Sequence, residues 1–161
     1  FSTAYRNSSV QAVANTIPCR DESADLFANV FQGIASSAQY ADLAEKYESD
    51  SIYKVGTVVV FGGEKEITVT EKYGDTRVAG VISENPAYLM NSESQGQAVA
   101  LRGKVPVLVV GTVKKGDLLV TSNVPGFAQV AIANFHPNSV FAKSIEEKNE
   151  DIPGVITAVI L

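Results

Sequence analysis

Short runs of Val, Ile, Leu and Ala, bounded by glycine or polar residues, recur from Thr57 onward. Such runs predict strands. Thr57-Val58-Val59-Val60-Phe61, the Gly62-Gly63 pair and the alternating Glu66-Ile67-Thr68-Val69-Thr70 predict a hairpin with a glycine turn. Further strands are expected at residues 78–83, 98–102, 105–110, 117–121, 128–133 and 154–161. Gly or Pro punctuates nearly every gap between them. The polar stretch from Gly111 to Asp117 predicts a turn in which Gly116 takes a left-handed backbone conformation.

The segment 35–47 reads differently. It is rich in Ala and carries Leu43 and Glu45, which predicts a helix of about three turns. No helical pattern separates the later runs, so the fold class is all-β: a small barrel or sandwich of short strands with one short helix. Residues 1–39 are expected to form an extended leader, and 40–161 a barrel-like domain. The leader has too little clustered apolar surface to fold alone. A hairpin through its Asp21-Glu22 turn, stacked on copies from other chains, would bury Leu26, Phe27, Val30 and Phe31, which favours a symmetric homo-oligomer.

Composition narrows the partners. With 161 residues, 45% of them hydrophobic, the chain can bury one sizeable core. Its net charge of −5 repels a phosphate backbone, so no nucleic-acid partner is expected. No apolar run approaches the roughly 20 residues of a membrane span, and the start lacks a signal-peptide pattern. Cys19 is the single cysteine, so an internal disulfide and a cysteine-based metal site are excluded, and synthesis in a cytoplasm fits. No metal or other cofactor is expected. The chain starts at Phe1 rather than Met, which suggests a piece of a longer protein with further sequence upstream.

Individual candidates carry little enzyme chemistry. His136, the single histidine, lies in Asn134-Phe135-His136-Pro137-Asn138 and is expected to be a hydrogen-bonded loop residue. Gly62-Gly63 lacks the remaining parts of a phosphate loop. Tyr40, Tyr47, Tyr53, Tyr73 and Tyr88 could present flat faces to carbohydrate, although packing is their commoner use. Asp42 and Glu45 are three residues apart and would share one face of a helical turn. Around a three-fold axis such pairs would gather carboxylates, leaving a protonated acid beside an ionised base; alternatively they are solvated charges, with Glu45 near Lys46 and Lys54.

Several stretches together carry a resemblance: residues 39–47 (Gln-Tyr-Ala-Asp-Leu-Ala-Glu-Lys-Tyr), Gly56 to Gly63, Val78 to Tyr88, and Gly116-Asp117-Leu118-Leu119. In order and spacing they resemble the C-terminal domains of bacteriophage tail fibres and neck appendages, including the intramolecular chaperone domains grouped as G2 glutamic peptidases. The leader, with Ile17 to Asp21 and Ala28 to Gly33, resembles the segment joining such domains to a fibre. The resemblance implies a homotrimeric virion component, made in a bacterial cytoplasm. It would support fibre assembly, contact other tail proteins and take part in attachment to a host-surface glycan or protein. In self-cleaving relatives an Asp-aromatic-Ala-Glu tetrapeptide is cut before its Asp, with the Glu acting on that bond. By position the implied catalytic residues are Asp42 and Glu45 and the bond is Ala41–Asp42; Leu43 stands in the aromatic position and Ala41 where Ser precedes the Asp. A small-molecule enzyme on a barrel has no positive support in these residues.

Overall fold

A computed structural model describes residues 8–9, 17–18, 20–23 and 42–161. The chain divides into two units, Phe1–Ser37 and Ala38–Leu161. In the first, β1 (Ser8–Ser9) and β2 (Ile17–Pro18) pair in parallel, and the Asp21 carboxylate accepts a hydrogen bond from the Ser23 amide. The expected leader hairpin with Leu26, Phe27, Val30 and Phe31 lies outside the described residues, as does Cys19.

The second unit is built from β3 (Asp42–Tyr47), β4 (Val58–Phe61), β5 (Ile67–Val69), β6 (Val78–Ile82), β7 (Tyr88–Met90), β8 (Gln97–Val109), β9 (Leu118–Thr121), β10 (Ala128–Val130), β11 (Ala142–Ser144) and β12 (Gly154–Ile160). The all-β architecture is as expected. A single 3-10 turn, Pro137–Ser139, is the sole helical element among the described residues. None of these residues forms a helix long and apolar enough to cross a membrane.

The helix expected over 35–47 is overturned where it is described: Asp42–Tyr47 is a strand. Its Leu, Ala, Glu and Lys favour helices, but local preference is worth only tenths of a kcal/mol per residue. Antiparallel pairing with β8 along all of β3, and parallel pairing with β7, outweigh it. Two expected strands, 98–102 and 105–110, are one continuous strand, β8. Gly103 is a change of partner, not a break. The first half of β8 pairs with β3, its second half with β12, and Asp42 and Ile160 both meet Gly103.

From this shared strand two lobes grow. In one, β8, β12, β11, β9 and β10 follow one another and Ala128 of β10 closes back on Val109 of β8, making a five-strand barrel. The period of two along each strand turns Val105, Val107, Val109, Ile156, Ala158 and Ile160 inward and exposes Val155. Leu119, Val113 and Phe141 join this core, as do Val58 of β4, Val81 of β6 and Ala100 from the first half of β8. The second lobe is the sheet β5–β4–β6–β8–β3–β7, curled around Val59, Ile67, Ile82 and Val99. Just after β3, Ser49 bridges to Ile67 of β5 and draws this lobe together.

The predicted turns form. The β4–β5 hairpin runs through Gly62-Gly63, and Gly116 has a φ of 93°. Gly80 in β6 answers a different need: a Cβ there would sit 2.2 Å from the Ala100 carbonyl oxygen of β8. Any side chain would push the two lobes' shared strand away.

Candidate functional site

Asp42 and Glu45 lie on β3, so the expectation that they share one helical face is overturned. Positions three apart on a strand fall on opposite faces. Asp42 is the first residue of the strand and is 6% exposed. Its main-chain carbonyl accepts the Ala87 amide at 2.7 Å, and across the ladder it faces Gly103, which has no side chain. Burial pushes the Asp42 carboxyl above its usual range, opposed by the Ser83 hydroxyl and by its own main-chain N–H. Among the described residues its Oδ2 has no hydrogen-bond partner. A buried acceptor left in that state costs about 1–3 kcal/mol.

Glu45 is held quite differently. Tyr47 donates its hydroxyl to one carboxylate oxygen at 2.7 Å, and the Asn91 side-chain amide donates to the other at 2.6 Å. Burial and the adjoining Glu45 carboxylate push the Tyr47 hydroxyl up to about 12, so it remains a donor at neutral pH. The lysines expected beside Glu45 are engaged elsewhere. Lys46 donates to the Ser92 and Ser94 carbonyls, and the Lys54 ammonium lies 5.7 Å from the centre of the Phe127 ring. Glu45 is thus an oriented carboxylate, and Asp42 a desolvated one. Within one chain the strand keeps them apart.

Sequence reasoning did not find Ser83, Asn91 or Gly103 around this pair. Asn91 opens a polar run, Asn-Ser-Glu-Ser, that reads only as a loop, and its tie to Glu45 spans 46 positions. The tyrosines divide. Tyr47 packs edge-on against Phe61 with ring centres 5.5 Å apart. The Tyr53 hydroxyl donates to Asp50 and accepts the Val69 amide, and Tyr73 is tied to the main chain of Ile132. Tyr88 is 64% exposed, and Tyr40 lies outside the described residues. His136 is a loop residue, as expected; its Nδ1 accepts the Asn138 amide and caps the 3-10 turn.

At one end of the barrel, Thr112, Lys114, Asp117, Gln129, Ile132 and Asp151 border an open cleft of about 660 Å³. Asp117 accepts the Lys114 amide, and the buried Lys148 donates to the Gly111 and Glu150 carbonyls below.

This arrangement of strands has a solved counterpart. It is similar to the crystal structure of the pre-mature bacteriophage phi29 gene product 12, with a TM-score of 0.58 over 86% of this chain. The likeness spans 23% of the phi29 protein at 15% sequence identity, so what is shared is the fold. No protein-family model matches the chain, and no curated protein matches it.

Proposed function

We propose that the chain is a structural module of a bacteriophage virion, part of a tail fibre or appendage, in which three copies associate and support fibre assembly. The observation that carries this reading is the likeness to the phi29 gene product over 86% of the chain. The outer lobe adds physical support. Leu43 and Tyr88 are neighbours across the β3–β7 pair, both are exposed, and among the described residues β7 pairs with β3 alone, at an edge of the sheet. An exposed apolar pair beside an open edge favours association with another chain. Contact with other tail proteins and with a host-surface glycan or protein belongs to the same proposal, with the virion as the location. Native mass spectrometry tests it: a trimer that Tyr88→Glu dissociates is expected, and a monomer at micromolar concentration would refute the association.

A second reading is favoured by Asp42 alone. Its buried carboxylate, with an unpartnered oxygen and a raised affinity for its proton, adjoins the Ala41–Asp42 bond. On this reading the chain is a self-cleaving intramolecular chaperone cut before Asp42. Glu45, on the opposite face of β3, acts on an Asp42 brought to it by another copy. Denaturing mass spectrometry during prolonged incubation should show a product beginning at Asp42, absent in Glu45→Gln. A permanently intact wild-type chain retires this reading.

A further inference from the structure

The unpartnered Oδ2 of Asp42 poses a chemical question: which donor is this buried oxygen shaped to meet? The Ser83 hydroxyl and the residue's own main-chain N–H already bond to the carboxyl, and Oδ2 still has no partner among the described residues. Gly103 opposite offers no side chain, and the Ala87 amide is taken by the Asp42 carbonyl. The two cations beside Gly103, Arg102 and Lys104, are exposed. The donor that can still change is the one within the residue itself. The Asp42 nitrogen and its carboxylate are separated only by Cα, Cβ and Cγ, so they can meet without movement of the strand. In the intact chain that nitrogen carries a single hydrogen and no charge.

We propose that the Asp42 carboxylate is a preformed acceptor for the α-ammonium group created when the Ala41–Asp42 bond is cut, so that processing locks the start of β3 into the fold. The proposal rests on the second reading above. In the hydrolysis one water is consumed: the C–N bond breaks, the hydroxyl goes to the Ala41 carbonyl carbon and the remaining hydrogen to the Asp42 nitrogen. At neutral pH the new Ala41 carboxyl releases a proton and the new amine takes one up. Asp42 then carries three N–H donors and a positive charge beside its carboxylate, in place of one neutral N–H. Charge-assisted bonds of this kind are about twice as strong as neutral ones, and the low polarity that penalised the lone carboxylate strengthens the pair. The cut therefore stabilises β3, at the point where Gly103 passes from one lobe to the other.

The test imposes the cut on the whole chain. Ala38→Ile, Gln39→Glu, Tyr40→Gly and Ala41→Arg together create a site at which factor Xa severs the bond before Asp42. Melting is then compared before and after cutting, with Asp42 and with Asp42→Asn. Cutting should strengthen folding roughly ten-fold and raise Tm by roughly 3–6 °C with Asp42, and have no such effect with Asp42→Asn. An unchanged or lower Tm on cutting, or an equal rise in Asp42→Asn, overturns the proposal. A second readout does not depend on the variant. The new α-amine should react with cyanate at least roughly ten-fold more slowly in the folded cut protein than in urea, because a paired ammonium yields little free amine; equal rates overturn the lock. Lack of spontaneous cutting in the wild-type chain would retire the processing reading alone, because the imposed cut still measures the pairing.

Discussion

The two lobes share β8 yet are held together by different means. The barrel closes its own hydrogen-bond ring and fills it with aliphatic side chains from every strand, Leu119, Val107 and Ile156 among them. The outer lobe has a smaller fully buried cluster, Val59, Ile67, Ile82 and Val99, and relies on half-buried tyrosines whose hydroxyls are tied to Asp50, Glu45 and Val69. It also carries the exposed Leu43, Phe61 and Tyr88. The barrel's hydrogen-bond ring is closed, although Val58, Val81 and Ala100 of the outer sheet also join its core, whereas a sheet with an open edge and polar ties is suited to meeting another chain. That contrast places both the proposed association surface and the Asp42–Glu45 pair on the outer lobe.

The largest test of this comparison deletes matched volume in each lobe. Leu119→Ala in the barrel should cost about 4 kcal/mol and Ile67→Ala in the outer lobe about 3 kcal/mol, because half-exposed neighbours there can relax into the space. Denaturant unfolding gives both values, and a larger loss for Ile67→Ala would reverse the ranking. Next comes the buried Asp75, whose carboxylate takes two hydrogen bonds from the Arg77 guanidinium and is held below its usual range by them. The stability it contributes is fully present above the ordinary value of 3.8 and is lost as pH falls through the lower folded value. Asp75→Asn should lower stability by about 2 kcal/mol at pH 7, with the deficit shrinking as pH falls below 3.8.

Smaller effects sharpen the account of the outer lobe. Tyr53→Phe removes the hydroxyl shared by Asp50 and the Val69 amide and should cost about 1 kcal/mol. The Asp50 carboxyl, held low first by Tyr53 and then by Thr68, should rise toward its ordinary value in an NMR titration of that variant. Asp42 has the opposite sign to Asp75. With its folded value raised above 3.8, the native state binds the proton more tightly, so a penalty is present above the folded value and absent below 3.8. Asp42→Asn in the uncut chain should therefore raise stability at pH 7 by up to about 1 kcal/mol and leave it unchanged near pH 3, as followed by melting across that range.

Where the chain's pattern was local, it was legible. The β4–β5 hairpin could be read because Gly62-Gly63 separates two β-branched runs, and the turn before β9 because Gly116 supplies its backbone conformation. β7 and β11 escaped notice because Tyr88–Met90 and Ala142–Ser144 are too short to show alternation. At the site, Asp42 and Glu45 could be singled out by residue type and spacing. Their environments could not, since Asn91, Ser83 and Gly103 reach them across long stretches of chain.

The sequence by itself determined an all-β fold, the places of its glycine turns and the aliphatic runs from which a closed core could be built, because a period of two and turn chemistry act over a few residues. The tertiary structure alone decided that Asp42–Tyr47 is a strand, that β8 passes unbroken through Gly103 to serve two lobes, and that one carboxylate is buried while the other is hydrogen-bonded. Those outcomes depend on partners distant in sequence, whose ladder pairing outweighs the helix preference of a short Ala-Glu-Lys segment and whose burial sets the charge state of Asp42.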